Sequence, residues 1–202
     1  SSTTAINRIT LTPQVGSLWI QNSTVCLYGI SKTDASVSAP YASGGDVIAT
    51  DGTYWDHAFK SSGSFAPYKT LNADILTVAG GGAGGGTTCC GVWPGGGGAG
   101  GVVYLPSQTL TSGNSYSALV GAGGAIPVAG GHPNGNRGGN SQFGTFTVAI
   151  GGGYGGGIQT AGGTGGSGGG GGGYSTDNAG GLGTSGQGNN GGDSTLYAGA
   201  GG

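Results

Sequence analysis

Of the 55 glycines in this chain, 49 fall in residues 80–202, and the stretch AGGTGGSGGGGGGY at 161–174 holds little else. Ordering a glycine costs roughly 1–2 kcal/mol of backbone entropy, and there is no side chain to bury in return. A long glycine segment that orders must therefore recover its backbone hydrogen bonds from neighbours. Extended left-handed helices with three residues per turn meet that demand. They have no internal hydrogen bonds, so their N–H and C=O groups point outward and can bond side by side if no side chain intervenes. Collagen shares this backbone but needs glycine at every third position and abundant proline. This chain has 7 prolines and irregular glycine spacing, which predicts a stack of polyglycine II helices rather than a triple helix.

The composition changes sharply near residue 80 and divides the chain into unequal parts. Alternation in AINRITL and STVCLYGI predicts the last strands of a β-sandwich module and a connector over residues 1–45. Residues 46–202 are expected to form a glycine-rich domain, with short strands over 46–79 and polyglycine helices over 80–202. The fold class is mainly β plus irregular, with few or no α-helices. Tyr54, Trp55, Phe59, Phe65 and Tyr68 are expected to supply an apolar base, residues 101–124 a hairpin turning at Ser112, Gly113 and Asn114, and residues 142–153 a strand. With no initiator methionine, the sequence reads as a piece of a longer polypeptide.

Charged residues make up 6% of the chain, glutamate is absent and the net charge is −2, so there is no basic footprint for nucleic acid. No apolar run approaches the ~18 residues of a membrane span, so no membrane insertion is expected. Of three cysteines, Cys26 sits at a strand-like position and reads as a small buried hydrophobe. The adjacent Cys89 and Cys90 lack partners at zinc-site spacing, since His57 and His132 are distant. Gly80, Gly82 and Gly85 satisfy the G-x-G-x-x-G pattern, but the continuation GTTCCGVWPGGGG does not open the helix that would hold a pyrophosphate. No Gly-Lys-Ser/Thr and no G-x-S-x-G occurs. Asp51, Asp56 and His57 read as turn and surface residues. No catalytic residue, cofactor or metal is expected, and the chain does not read as an enzyme.

Residues 87–94, 132–137, 154–160, 174–178 and 195–197 interrupt the glycine with aromatic, Asn, Asp and Arg residues. Tyr, Trp, Ser, Gly and Asn together supply rigid contact area and adaptable hydrogen bonds, the composition of binding loops. Trp93, His132, Asn134, Arg137, Tyr154, Tyr174 and Tyr197 are the candidate receptor contacts. The alternative is that these segments are bends between helices.

The stretch TDGTYWDHAFKSSGSFAPYKTLNADILTVAGGGAGG, followed by GGGGAGGVVYLPSQTLTSGNSYSALVGAGG and GGNSQFG, resembles the glycine-rich domain of bacteriophage tail-fibre and other fibre proteins. AINRITL and STVCLYGI are similar to the end of the β-sandwich module that often precedes it. The resemblance implies a virion-surface fibre, usually trimeric, in contact with other fibre or virion proteins. It also implies loops between glycine helices that attach non-covalently to a host receptor, a polysaccharide or an outer-membrane protein. The alternative is a structural subunit of an extracellular or capsid-decorating filament.

Overall fold

The computed structural model describes residues 39–88, 91–128 and 130–202. The chain divides into Ser1–Ser38 and Ala39–Gly202. The expected sandwich strands, Cys26, Cys89 and Cys90 lie outside the described residues. No helix occurs among the described residues, which are strand-rich.

Side-chain alternation builds the base. Strands β1 (Ala42–Ser43), β4 (Gly63–Pro67), β7 (Tyr116–Leu119) and β8 (Gln142–Phe143) form one antiparallel sheet in that order. Strands β2 (Val47–Thr50) and β3 (Trp55–Ala58) form a ribbon, and β5 (Leu71–Val78) pairs with β6 (Val102–Leu110) in another. Period-two alternation puts Ile75 and Val103 inside and leaves Leu76, Val78 and Tyr104 exposed, and the register shift near Asp74 brings Leu110 to the inner face as well. Ala42, Phe65, Ile75 and Leu110 form the buried cluster, enclosed by Phe59, Leu105, Tyr116, Phe143 and others. Tyr116 stacks on Phe143 at 5.8 Å, and Phe65 meets Phe143 edge-on at the same distance.

Three local expectations change. Residues 101–124 do turn at Ser112 and Gly113 but form no hairpin, because β6 pairs with β5 while β7 joins β4 and β8. The 142–153 strand stops after Phe143, where Gly144 takes φ 53° and the chain turns back to bridge Ser141 with Ala149. Tyr54 and Tyr68 are exposed rather than basal; Phe143, Phe146 and Tyr116 take that place.

Carboxylates pin the loops of the base. Asp46 accepts the N–H groups of Lys60 and Ser61 at 2.6 and 2.8 Å, and Asp51 those of Thr53 and Tyr54 at 2.8 Å. Asp74 accepts the Tyr104 hydroxyl at 2.6 Å and the N–H of Ser107, a residue held at φ 52° in the bulge where two residues of β6 oppose Asp74. These bonds lower all three carboxyl pKa values below the ordinary 3.8, chiefly through Lys60 N–H for Asp46, Tyr54 N–H for Asp51 and the Tyr104 hydroxyl for Asp74. A folded carboxyl that holds its proton more weakly than the unfolded one adds stability above the unfolded pKa. That stability is lost as pH falls through the folded value. The thermal midpoint is therefore expected to stay flat above about pH 5 and to drop below about pH 4. Near-UV dichroism across this range checks it, and D46N should flatten the acid limb.

Beyond β5 and β6 the side chains disappear but the pairing continues. Ala79, Gly82 and Gly85 donate to Gly101, Gly98 and Gly95 at 2.8–3.0 Å, extending the ribbon into the glycine region. The residues between them turn elsewhere: Gly80, Ala83 and Gly86 donate to Gly139, Asn136 and Pro133. Residues 168–173 show the rule most completely. Gly168 and Gly171 donate to Asn189 and Gly192, Gly169 and Gly172 to Gly163 and Thr160, and Gly170 and Gly173 to Gly96 and Trp93. The partner segment repeats every third residue. Segments 79–86, 94–101, 121–125, 133–140, 150–157, 160–166, 167–173, 178–183, 188–193 and 199–202 alternate in direction, away from the base and back.

The centre of this region is backbone. Residues 168–173 and most of 151–157 are buried, although they carry almost no side chains. A Cβ on Gly80, Gly82 or Gly85 would lie 2.0–2.2 Å from a carbonyl oxygen of an adjacent segment. The bare faces of the G-x-G-x-x-G glycines are thus filled by neighbouring chain.

Candidate functional site

Because the segments alternate in direction, the described residues of the connections, 87–88 with 91–93, 126–128 with 130–132, 158–159, 174–178 and 194–198, collect at the end remote from the base. They are joined in a ring. Thr88 Oγ1 donates to the Gly131 carbonyl at 3.1 Å, and Ile158 N–H to the His132 carbonyl at 3.4 Å. Gln159 Nε2 donates to Ser175 Oγ, and Asn178 N–H to Ser194 Oγ at 2.8 Å. The ring closes where Trp93 meets Tyr197 edge-on, with centroids 5.6 Å apart. Each loop is therefore braced by two others.

The residues singled out in the sequence separate into three groups. Trp93 and Tyr197 form the aromatic pair; Gly173 bonds Trp93 in both directions, and the exposed Tyr174 follows it. Arg137 and Tyr154 lie on the flank: the Arg137 guanidinium is 5.6 Å from the Tyr154 ring centroid and donates to Thr164 Oγ1 at 3.0 Å. Arg137 is the single Lys or Arg in residues 80–202. His132 and Asn134 belong to the framework side, since the His132 carbonyl accepts from Ile158 and Asn134 Oδ1 accepts the Gly157 N–H at 2.8 Å.

Asn134 has counterparts. Asn140 Oδ1 accepts the Gly151 N–H, so side-chain carbonyls cap both ends of one glycine segment. Asn190 and Asp193 do the same for Gly183 and Gly180. Two exposed apolar residues escaped the sequence reading. Ile126 and Val128, 87% and 89% exposed, stand on either side of Pro127 at the loop end. They border a cleft of about 390 Å³ whose other wall is residues 83–88 and Pro133. The available signal was an Ile-Pro-Val tripeptide in a loop bounded by glycine.

The extent of the domain is set by comparison with known families. A family model described as a glycine-rich domain matches residues 60–202. The chain belongs to the glycine-rich domain family. No curated protein and no solved structure matches it. The match begins before β4, so the glycine-rich domain takes in β4 to β8 as well as the glycine segments. No group of three His, Cys, Asp or Glu side chains suited to a metal ion occurs among its described residues.

Proposed function

We propose that the glycine segments are packed polyglycine II helices, and that they serve as a rigid platform for an adhesive tip. Two features support the helix assignment. Bonding partners recur every third residue, as three residues per turn require. Within the segments none of the close-packed glycines takes positive φ, in keeping with the left-handed extended helix.

On that platform the chain acts as a bacteriophage fibre module at the virion surface, carried by other fibre or virion proteins. It attaches non-covalently to a host receptor, a surface polysaccharide or an outer-membrane protein. The observation that carries this reading is the closed ring of five loops at one end. A surface held by a backbone lattice presents its aromatic residues with little ordering left to do on binding, which is the main advantage of preorganisation. Purified chain is expected to bind envelope extracts of susceptible bacteria, and W93A, Y174A and Y197A each to weaken that binding about tenfold or more. Unchanged adsorption in all three variants would count against it.

One observation favours a structural subunit instead. Leu76, Val78, Val102 and Tyr104 form an exposed apolar face across β5 and β6, suited to packing against another chain. If L76S/Y104S abolishes assembly while the loop variants leave every measured property intact, the filament reading prevails.

A further inference from the structure

Segments 133–140 and 150–157 run antiparallel side by side, with Gly135 donating to Gly155 and Gly138 to Gly152 at 3.0 Å. In that register Asn134, Arg137 and Asn140 of the first stand opposite the backbone N–H groups of Gly157, Tyr154 and Gly151 of the second. A period of three puts each set on one side of its segment. The outer two positions are closed, because Asn134 Oδ1 and Asn140 Oδ1 each accept an N–H at 2.8 Å. The middle position is open. A guanidinium has no acceptor to offer. The Tyr154 carbonyl accepts the Gly163 N–H at 2.7 Å, but the Tyr154 N–H donates to no group among the described residues. Arg137 is held at this gap: it donates to Thr164 Oγ1 at 3.0 Å and lies 5.6 Å from the centroid of the Tyr154 ring, which rests against Gly163. It meets no carboxylate among the described residues. Arg137, Asn140 and Thr164 are exposed, and Asn134 and Tyr154 are half-buried.

We infer that this strip binds an acidic group of a polymer, a carboxylate or a phosphate, seated between the Arg137 guanidinium and the Tyr154 N–H. The planar fork of the guanidinium matches either anion in two parallel bonds. The same anion supplies the acceptor that the Tyr154 N–H lacks, as Asn134 and Asn140 supply it three residues to either side. Those two amides use only their oxygens, so each keeps a free Nδ2 donor. The donors stand about 9 Å along the segment from Arg137 at ~3.1 Å per residue, where they meet hydroxyl or ether oxygens flanking the charge. Arg137 is the single cation of residues 80–202 besides the histidine side chain, so the strip seats one charge and reads neutral oxygens beside it. The inference goes beyond the adhesive reading, because Arg137 stands on the flank and not in the loop ring.

The test is titration of the ¹⁵N-labelled full chain with oligogalacturonate, with oligo(glycerol phosphate) and, as the neutral control, with maltotetraose. A saturating downfield shift of the Tyr154 amide is expected from an acidic probe, weaker in added salt. The acidic probe that saturates at the lower concentration tells a carboxylate polymer from a phosphate one. R137Q keeps N–H donors but not the charge, and it should weaken binding about tenfold or more with the thermal midpoint unchanged. N140D keeps the acceptor for Gly151 but turns the amide donor into a carboxylate oxygen, and should weaken binding about three- to tenfold. No shift of the Tyr154 amide up to millimolar concentrations of both acidic probes, equal binding by R137Q, or an equal shift from maltotetraose overturns the site. Envelope binding is scored separately: its failure with the Tyr154 shift intact removes only the adhesive reading.

Discussion

G172A is expected to prevent the glycine-rich domain from closing, whereas G81A should leave it slightly more stable. A Cβ at Gly172 would sit 1.6 Å from the Gly157 carbonyl oxygen, in the buried centre of the lattice. Segment 150–157 or segment 167–173 would have to move by more than an ångström, which breaks the bonds of Gly172 to Thr160 and of Gly156 to Gly170. Each buried group left unpaired costs about 1–3 kcal/mol and overpacking adds a similar amount. A total above about 4 kcal/mol approaches the whole stability of a domain of this size. At Gly81 the nearest atom to an added Cβ is the Gly98 carbonyl oxygen, 3.6 Å away, and φ is not in the left-handed region. There alanine mainly restricts the unfolded chain, a gain of about 0.4–1 kcal/mol. Urea unfolding followed by tryptophan fluorescence separates the two, and G82A, with its Cβ 2.0 Å from the Gly153 oxygen, should behave like G172A. Equal midpoints for G81A and G82A would mean that close backbone approach is not what selects glycine in this chain.

The same geometry explains what could be read from the residues alone. A chain that places 49 glycines in one region, with few apolar residues, cannot order around a side-chain core. Bonding between bare backbones was therefore legible, as was the mainly β character of residues 46–79 with their alternating aromatic and branched residues. The five interruptions were legible as one class because each breaks the glycine with the same residue types. That 87–94, 174–178 and 195–197 meet at one end, while most of 132–137 and 154–160 lies within glycine segments, follows from alternating direction, which no local pattern encodes.

Other features depended on long-range choices. Ser112 and Gly113 mark a turn, but β6 finds a longer partner in β5, and the pair is extended by three further bonds from Ala79, Gly82 and Gly85. Turn chemistry thus located the bend and not the pairing. Asn134 illustrates a different limit. Its amide suits a binding loop, a turn or a cap, and only the position of the Gly157 N–H assigns it to the last.

Gln187 had no signal in the sequence at all, yet its loss is expected to be the most damaging truncation of a polar side chain in residues 80–202. It sits in the turn after segment 178–183, at the base end, beside residues 148–150. Its Oε1 accepts the Ile150 N–H at 2.8 Å, its Nε2 donates to the Val148 carbonyl at 2.9 Å, and its own carbonyl accepts the Val102 N–H at 3.1 Å. The side chain thus serves as a short piece of lattice, presenting one acceptor and one donor as a peptide group would. Q187A strips both and leaves a half-buried donor and acceptor, so about 2–4 kcal/mol of stability should be lost. Q187E keeps the acceptor at Ile150 but replaces the donor to Val148 with a carboxylate oxygen, and it should lose at least as much at neutral pH. Protonation restores an O–H donor, so the Q187E deficit should shrink as pH falls towards about 4, the range in which the carboxylates of the base have not yet failed. Thermal midpoints of Q187A and Q187E measured at pH 7 and pH 4.5 decide it. A deficit for Q187E that is identical at both pH values would show that the amide nitrogen contributes nothing, and that the turn is held by backbone alone.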